Sequence, residues 1–104
     1  MMKVALLAEL NAKPGKEDAL AALLIGSQAI AVSEPGTLTW FAIRLDNQTF
    51  GIFDTFEDDA GRQAHLSGAV AAALTSRADE LLAGPPAIRT GEVLAFKPPY
   101  VAVD

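Results

Sequence analysis

The sequence predicts a single α+β domain in which one antiparallel sheet lies under a layer of helices. Strand-like and helix-like segments alternate along the chain in the order β-α-β-β-α-β. The length of 104 residues is a common size for one domain. A hydrophobic fraction of 51% with 20% charged residues is far from the composition of disordered chains. We therefore expect residues 1–104 to fold as one unit.

The first two elements are a strand and a helix. Met2 to Asn11 is rich in aliphatic residues and is followed by the turn sequence Lys13-Pro14-Gly15, which predicts the first strand. Acidic residues then favour a helix start at Glu17, and leucines recur at helical spacing. The predicted helix ends near Ser33, because a residue that precedes a proline, here Pro35, is disfavoured in helical conformation.

Two further strands form a predicted hairpin. Thr37 to Leu45 and Thr49 to Thr55 are rich in β-branched and aromatic residues, and Asp46-Asn47-Gln48 is a plausible turn between them. The loop length decides a functional question. A two-residue loop places Asp54 on the sheet face opposite Trp40, whereas a three-residue loop or a bulge places both on one face. The sequence leaves both registers open.

A long helical stretch and a last strand complete the pattern. The helical stretch runs from Glu57 to Leu82, with Gly68 as a candidate break, and ends at Gly84-Pro85-Pro86. Ile88 to Phe96 is predicted as the fourth strand, closed by Pro98-Pro99. Two β-α-β halves with right-handed crossovers give a ferredoxin-like sandwich.

Both faces of the predicted sheet carry apolar residues. Leu6 and Leu7 point to opposite faces of the first strand, and Trp40 and Phe41 do so in the second. Helices can cover only one face, and no second domain is predicted. We therefore expect a second copy of the chain to cover the other face, which makes the protein a homodimer. The alternative is that these residues are singly exposed, which is common in proteins.

Composition and charge exclude several classes of function. The net charge is −5, and the eight basic residues are scattered, so nucleic acid is not an expected partner. No apolar run reaches the roughly 18 residues of a membrane span, and the N-terminus lacks a signal-peptide core. These features, with the absence of cysteine, fit a cytoplasmic protein.

No cofactor is expected from the residues present. One histidine and no cysteine leave only scattered carboxylates, so no metal site is predicted. The glycines form neither a dinucleotide-binding fingerprint nor a phosphate loop after a strand.

His65 is the first candidate catalytic residue. It is the only histidine, and its side chain type has an unperturbed pKa of about 6.5, near neutrality. Small residues at Gly61, Ala64 and Gly68 would leave room for a ligand beside it. The functional interpretation is a general base or a hydrogen-bond partner for a phenolic hydroxyl. The alternative is a helix histidine that serves packing alone.

Asp54 and Trp40 are further candidates. Asp54 interrupts a hydrophobic strand, where an unpaired carboxylate is costly to bury. It either orients His65, caps the following helix, or forms a structural salt bridge. Trp40 offers an aromatic wall and one indole donor for a planar substrate, or else it is a core or interface residue.

Two arginines are candidate substrate contacts. Arg44, near the hairpin, would anchor an acidic or phenolate group, although a strand-end arginine is more often solvated or part of an interface ion pair. Arg62 follows Asp58 by four residues, which first indicates a surface pair on one helix.

Three short motifs carry a resemblance that spans roughly residues 2 to 95. They are Lys13-Pro14-Gly15-Lys16-Glu17, Glu34-Pro35-Gly36-Thr37-Leu38, and Asp54-Thr55-Phe56-Glu57-Asp58 leading to Ala64-His65-Leu66. In order and spacing they resemble the antibiotic biosynthesis monooxygenase family. The resemblance implies a dimeric α/β barrel with the two sheets face to face and a pocket between sheet and helices in each subunit.

The resemblance also implies a reaction, which is oxygenation of electron-rich aromatics such as hydroquinones or anthrones without flavin or metal. Phe56 stands where this family often has tryptophan, and it is a candidate substrate contact. A heme-degrading branch has asparagine, tryptophan and histidine near the positions of Ala8, His65 and Thr75, which argues against heme degradation here.

Three functions follow as hypotheses. The leading one is a cofactor-independent monooxygenase that oxidises a quinol, a phenol or a polyketide-like aromatic with dioxygen. The alternative is a non-catalytic dimer that binds a small hydrophobic or aromatic ligand. A third is an accessory protein that docks a partner through a sheet edge or the segment Lys97-Pro98-Pro99-Tyr100.

Overall fold

The computed structural model describes residues 2–97, and it contains four strands and three helices. In chain order they are β1 (Val4–Asn11), α1 (Glu17–Ser33), β2 (Thr37–Arg44), β3 (Thr49–Phe56), α2 (Asp59–Leu66), α3 (Ala69–Leu81) and β4 (Ala87–Glu92). The predicted order is confirmed, and Gly68 divides the second helical stretch into α2 and α3. The docking segment proposed at residues 97–100 lies largely outside the described residues.

The four strands form one antiparallel sheet in the order β2-β3-β1-β4. This is the predicted ferredoxin-like arrangement, in which the two strands of each β-α-β half are separated by one strand of the other half. The helices pack on one face of the sheet. The core lies between them and includes Leu10, Leu20, Leu24, Phe50 and Leu81, all almost fully buried.

The β2–β3 hairpin settles the open question of register. Its turn has three residues, and the Asp46 carboxylate accepts hydrogen bonds from the backbone N–H groups of Gln48 and Thr49 at 2.9 and 2.8 Å. With this turn, Trp40 lies directly opposite Asp54. Directly opposite residues project to the same side of a sheet, so both belong to the face that meets the helices.

The fourth strand is shorter than predicted. It spans Ala87–Glu92, whereas the sequence pattern indicated Ile88 to Phe96. Within the described residues β4 pairs with β1 alone, and their last paired residues are Val4 and Glu92. Beyond this pair one backbone hydrogen bond follows, from the Val93 N–H to the Lys3 carbonyl at 2.8 Å, and the apolar pattern then continues without a strand. Pro98-Pro99 lies outside the described part of the chain.

The sheet face away from the helices, here called the second face, is apolar and accessible. Leu7, Phe41, Ile43 and Phe53 are 44%, 56%, 47% and 39% exposed. Phe53 pairs with Leu7 on one side and with Phe41 on the other, so these side chains adjoin each other across three strands. None of the helices in residues 2–97 covers this face.

Close backbone contact positions α2 against the loop that enters β2. A Cβ atom at Gly61 would lie 3.1 Å from the carbonyl oxygen of Gly36, and one at Gly36 would lie 3.2 Å from the Gly61 Cα. Both distances are shorter than ordinary contacts, so the two segments approach this closely because both residues are glycine. This contact brings His65 of α2 toward the end of α1.

Candidate functional site

The candidate site consists of His65 held between two carboxylates. His65 lies on α2 and is 6% exposed. Its Nδ1 atom is 2.6 Å from Oε1 of Glu34, and its Nε2 atom is 2.8 Å from Oδ2 of Asp54. Three elements supply the cluster, since Glu34 ends α1 and Asp54 belongs to β3.

Glu34 reaches the site because α1 stops where it does. Its backbone is extended, with φ −85° and ψ 110°, as expected for a residue that precedes proline. The Thr37 hydroxyl donates a hydrogen bond of 2.9 Å to Oε1 of Glu34, the same oxygen that meets His65. The carboxylate is therefore fixed from the strand side as well as from the helix side.

Asp54 is the most deeply buried member of the cluster, at 1% exposure. Its approach to Nε2 is short, but it departs from the direction of a straight N–H···O bond, so we describe it as an ion pair. Neither Asp54 oxygen accepts a directed hydrogen bond within residues 2–97. A buried carboxylate without such bonds is costly, and the adjacent imidazole is the group that offsets its charge.

The imidazole carries a positive charge at neutral pH. Its contact with Asp54 raises the pKa of His65 to about 9, with a smaller contribution from Glu34 and in opposition to burial. Elementary proton counting leads to the same charge. A neutral imidazole has one N–H, whereas carboxylates face both of its ring nitrogens, so only the doubly protonated ring presents an N–H to each carboxylate. The sequence suggested that His65 is a base with a pKa near neutrality, but its two carboxylate neighbours raise that pKa.

A small cavity of about 60 Å³ adjoins the cluster. Aliphatic side chains from the sheet and from α2 and α3 line most of it, and Asp54 and His65 supply its polar atoms. The volume accommodates water, but it is smaller than the roughly 150 Å³ of an engineered cavity that binds benzene. Its wall on the β4 side is Ile88, an edge-strand residue that is 54% exposed, so the cavity is closest to solvent there.

Trp40 and Phe56 flank the cluster without lining the cavity. Trp40 is the cross-strand neighbour of Asp54 and packs against the core, and its buried Nε1 finds no hydrogen-bond acceptor among the described residues. Phe56 is completely buried, and its ring centroid lies 5.5 Å from that of His65 at a tilt of 45°. Phe56 therefore packs against the imidazole and is closed to substrate in this conformation.

Arg44 is not part of the cluster. Its guanidinium donates to the carbonyl of Asn47, lies 3.7 Å from Asp18 and stands 4.9 Å from the centre of the Phe50 ring. It occupies the hairpin end of β2, four residues from Trp40, which corresponds to roughly 13 Å along a strand.

Arg62 also has partners of its own. It pairs with Asp59 at 2.8 Å and donates to the carbonyls of Ala5 and Gly91, which anchors α2 to the sheet. The predicted side-chain pair with Asp58 is wrong, because Asp58 is the N-cap of α2 and accepts from a backbone N–H in the first turn. Asp58 therefore takes the capping role that was one alternative for Asp54.

Glu34 is the site residue that the sequence did not single out. It was visible only as part of the Glu34-Pro35-Gly36 motif. One signal was available, since a carboxylate directly before a proline that ends a helix must leave the helical path. Its partner, however, lies 31 positions further along the chain, and the pattern contains nothing that specifies that contact.

Two further properties of the described residues concern membranes and metal ions. Within residues 2–97, no helix is both long enough and apolar enough to cross a membrane. Among the same residues, no group of three or more histidine, cysteine, aspartate or glutamate side chains is arranged to hold a metal ion.

Comparison with known proteins identifies relatives of this structure. No protein-family model matches the chain, and no curated protein matches it. Among solved structures, NE2512, a protein of unknown function from Nitrosomonas europaea, is 50% identical over 97% of this chain and 98% of its own, with a TM-score of 0.94.

More distant structures share the fold. A "putative antibiotic biosynthesis monooxygenase" from Nitrosomonas europaea has a TM-score of 0.80 at 15% identity, covering 88% of this chain and 99% of its own. Another of that name from Chloroflexus aurantiacus has a TM-score of 0.72 at 22% identity, covering 91% and 96%. The protein therefore belongs to one family with NE2512, and its fold is that of the antibiotic biosynthesis monooxygenases.

Proposed function

We propose that the protein is a monooxygenase that uses dioxygen to oxidise a phenolic aromatic, such as a quinol or a polyketide-like substrate. The observation that carries the proposal is the buried Asp54 carboxylate, which borders an apolar cavity and lacks a directed hydrogen bond within residues 2–97. A phenolic hydroxyl would supply that bond, and the aliphatic lining would accept the edge of the ring. The shared fold is consistent with the proposal but does not carry it.

Asp54 is the proton acceptor in this proposal, and His65 is the adjacent cation. Transfer from an ordinary phenol, with a pKa of about 10, to an ordinary carboxylate is uphill by about six pKa units, or about 8 kcal/mol. The imidazolium pairs with the Asp54 carboxylate before the transfer as well as attracting the substrate anion after it, so it does not by itself remove this cost. The site therefore suits substrates whose hydroxyl or C–H acidity is increased by conjugation with a carbonyl group.

The reaction balances without an external reductant. The ionised substrate gives electrons to dioxygen, one oxygen atom forms a bond with a ring carbon that loses its hydrogen, and the other oxygen atom leaves as water. A hydroquinone would thus become a hydroxyquinone. The substrate supplies all four electrons, two for insertion of oxygen and two for oxidation of the hydroquinone to the quinone. The residues need only bind the substrate, accept its proton and exclude water.

Substrate entry requires the cavity to enlarge, because about 60 Å³ does not hold an aromatic ring. Ile88 on edge strand β4 is the most exposed of the residues that line the cavity. Rotation of this side chain, or a small movement of α3 away from β4, would open the cavity toward solvent without disturbing the Glu34–His65–Asp54 contacts.

Oxygen consumption tests the proposed function. A panel of hydroquinones and anthrones is mixed with the purified protein, with and without added flavin, and oxygen uptake is followed. We expect uptake without flavin, and a loss of about a hundredfold to ten-thousandfold in Asp54→Asn. Asp79→Asn is the matched control, because it removes the same charge from an exposed position on α3. Binding without turnover would instead favour a non-catalytic binding protein.

We also propose that the protein works as a homodimer formed through the second face. Leu7, Phe41, Ile43 and Phe53 form a contiguous apolar surface there, and exposed surfaces of this kind usually mark an interaction site. Sedimentation at micromolar concentration should show a dimer, and Phe41→Glu should shift it toward monomer. A monomeric wild-type protein would refute this part of the proposal.

A further inference from the structure

Glu34 contacts the site from the side opposite the cavity. Its side chain is 18% exposed, and Oε1 lies 2.6 Å from Nδ1 of His65 while it also accepts the Thr37 hydroxyl. Asp54, in contrast, lines the cavity and Glu34 does not. The two carboxylates therefore have unequal access to a ligand, although both contact the same imidazole.

A glycine on the segment between α2 and α3 leaves room for the Glu34 carboxylate. A Cβ atom at Gly68 would lie 3.0 Å from Oε2 of Glu34, so a side chain there would press on the carboxylate. The close contact of Gly36 with Gly61 brings the segment that follows Glu34 against α2. Gly68 thus adjoins the Glu34 carboxylate, and the contact between Gly36 and Gly61 positions the segment that follows Glu34.

The effect of Glu34 on the imidazole follows from which ring nitrogens of His65 carry a proton. If Nδ1 carried no hydrogen, its lone pair would face the Glu34 carboxylate at 2.6 Å. If Nε2 carried none, its lone pair would face Asp54 at 2.8 Å. Either neutral tautomer places a lone pair against a negative charge, so both neutral forms are disfavoured.

We propose that Glu34 is the positioning residue of this site: by holding Nδ1–H it keeps His65 an imidazolium turned toward Asp54, and it leaves Asp54 as the acceptor for an uncharged hydroxyl ligand. The ligand class rests on the proposed function, whereas the role of Glu34 does not. The charged groups that contact His65 among the described residues are Glu34 from α1 and Asp54 from β3.

The charge of the cluster restricts the ligand. Two carboxylates and one imidazolium sum to −1, and the cavity is otherwise lined by aliphatic side chains. A carboxylate or phosphate ligand would meet net repulsion there, whereas a neutral hydroxyl can donate to Asp54. Phenol and benzoate, which have the same ring and differ in charge, are suitable probes of this selectivity.

The experiment is an NMR titration of the imidazole, which needs no assignment because the chain has a single histidine. We expect wild-type His65 to titrate well above neutrality and Glu34→Gln to lower its pKa by about one unit or more. The glutamine amide can turn its NH2 group to an unprotonated Nδ1, which permits a neutral ring that still presents its Nε2–H to Asp54. Asp79→Asn, the charge-matched control, should leave the titration unchanged. Equal pKa values in Glu34→Gln and wild type would overturn the role of Glu34.

A second measurement on the wild type covers the case in which Glu34→Gln fails to fold. Nitrogen-15 spectra at pH 7.5 should show both ring nitrogens protonated, and one unprotonated nitrogen would overturn the proposal. Phenol at pH 7.5 should shift the imidazole signals of the wild type while benzoate leaves them in place, and the reverse order would overturn the ligand class. A protein that shows these spectra without oxygen uptake would refute the proposed reaction and leave the role of Glu34 intact.

Discussion

Raising the pH from about 6.5 to above 9 should destabilise the protein because His65 loses its second ring proton. The folded-state pKa of His65 is about 9, against about 6.5 in an unfolded chain. A raised pKa means that the folded state binds the proton more tightly, so the stabilisation is complete below about pH 6.5 and is lost as the pH rises through 9. A difference of about 2.5 units corresponds to at most about 3.4 kcal/mol of unfolding free energy.

Urea unfolding at pH 6, 7.5, 9 and 10, at one protein concentration, measures this loss. His65→Gln serves as the reference, because it lacks the titrating group while lysines and the tyrosine contribute equally to both proteins. The wild type should lose about 2 to 3 kcal/mol more than the variant between pH 6 and pH 10. Parallel stability curves for the two proteins would show that the imidazole is not held as a cation, and the proton-counting argument would then be wrong.

Three other substitutions test separate parts of the structure. Gly61→Ala should cost about 1 to 3 kcal/mol in urea unfolding, because its Cβ would lie 3.1 Å from the Gly36 carbonyl; an unchanged midpoint would contradict the close contact. Ala71→Leu should fill the cavity and abolish the phenol-induced NMR shift in a folded protein, and a retained shift would place phenol elsewhere. Phe53→Lys should give monomers in sedimentation, whereas persistent dimers would point to another interface.

The fold was predictable because local signals agree along the chain. Proline and glycine mark the ends of α1 and of the second helical stretch, and the period of the apolar residues separates strands from helices. The length of β4 was not predictable from the same signals. Apolar residues continue to Phe96, but a strand also needs a partner, and the pairing with β1 ends at Val4 and Glu92, followed by one bond from the Val93 N–H to the Lys3 carbonyl. The residue types of a segment indicate that it can form a strand, but the length of that strand also depends on where the neighbouring strand ends.

The site was predictable in its members but not in its charge. His65 and Asp54 were recognisable as chemically unusual residues in an apolar context. Their contact depended on the three-residue turn that begins at Asp46, which the sequence allowed but did not require. Glu34 entered the site through tertiary packing alone. The sequence alone suggested a base of ordinary pKa, whereas the contacts with Asp54 and, to a smaller extent, Glu34 raise the pKa of the ring to about 9. In our proposal the proton acceptor is therefore Asp54.

The energetics of the cluster favour a functional interpretation. A buried group of charges is commonly no more stable than apolar residues of the same volume, so stability alone does not explain why three ionisable residues lie at 1% to 18% exposure. An acceptor left without a directed hydrogen bond adds a cost of about 1 to 3 kcal/mol. Asp54 carries that cost where its carboxylate borders a cavity, and a ligand hydroxyl would relieve it at that position. A stabilising salt bridge would instead satisfy both oxygens.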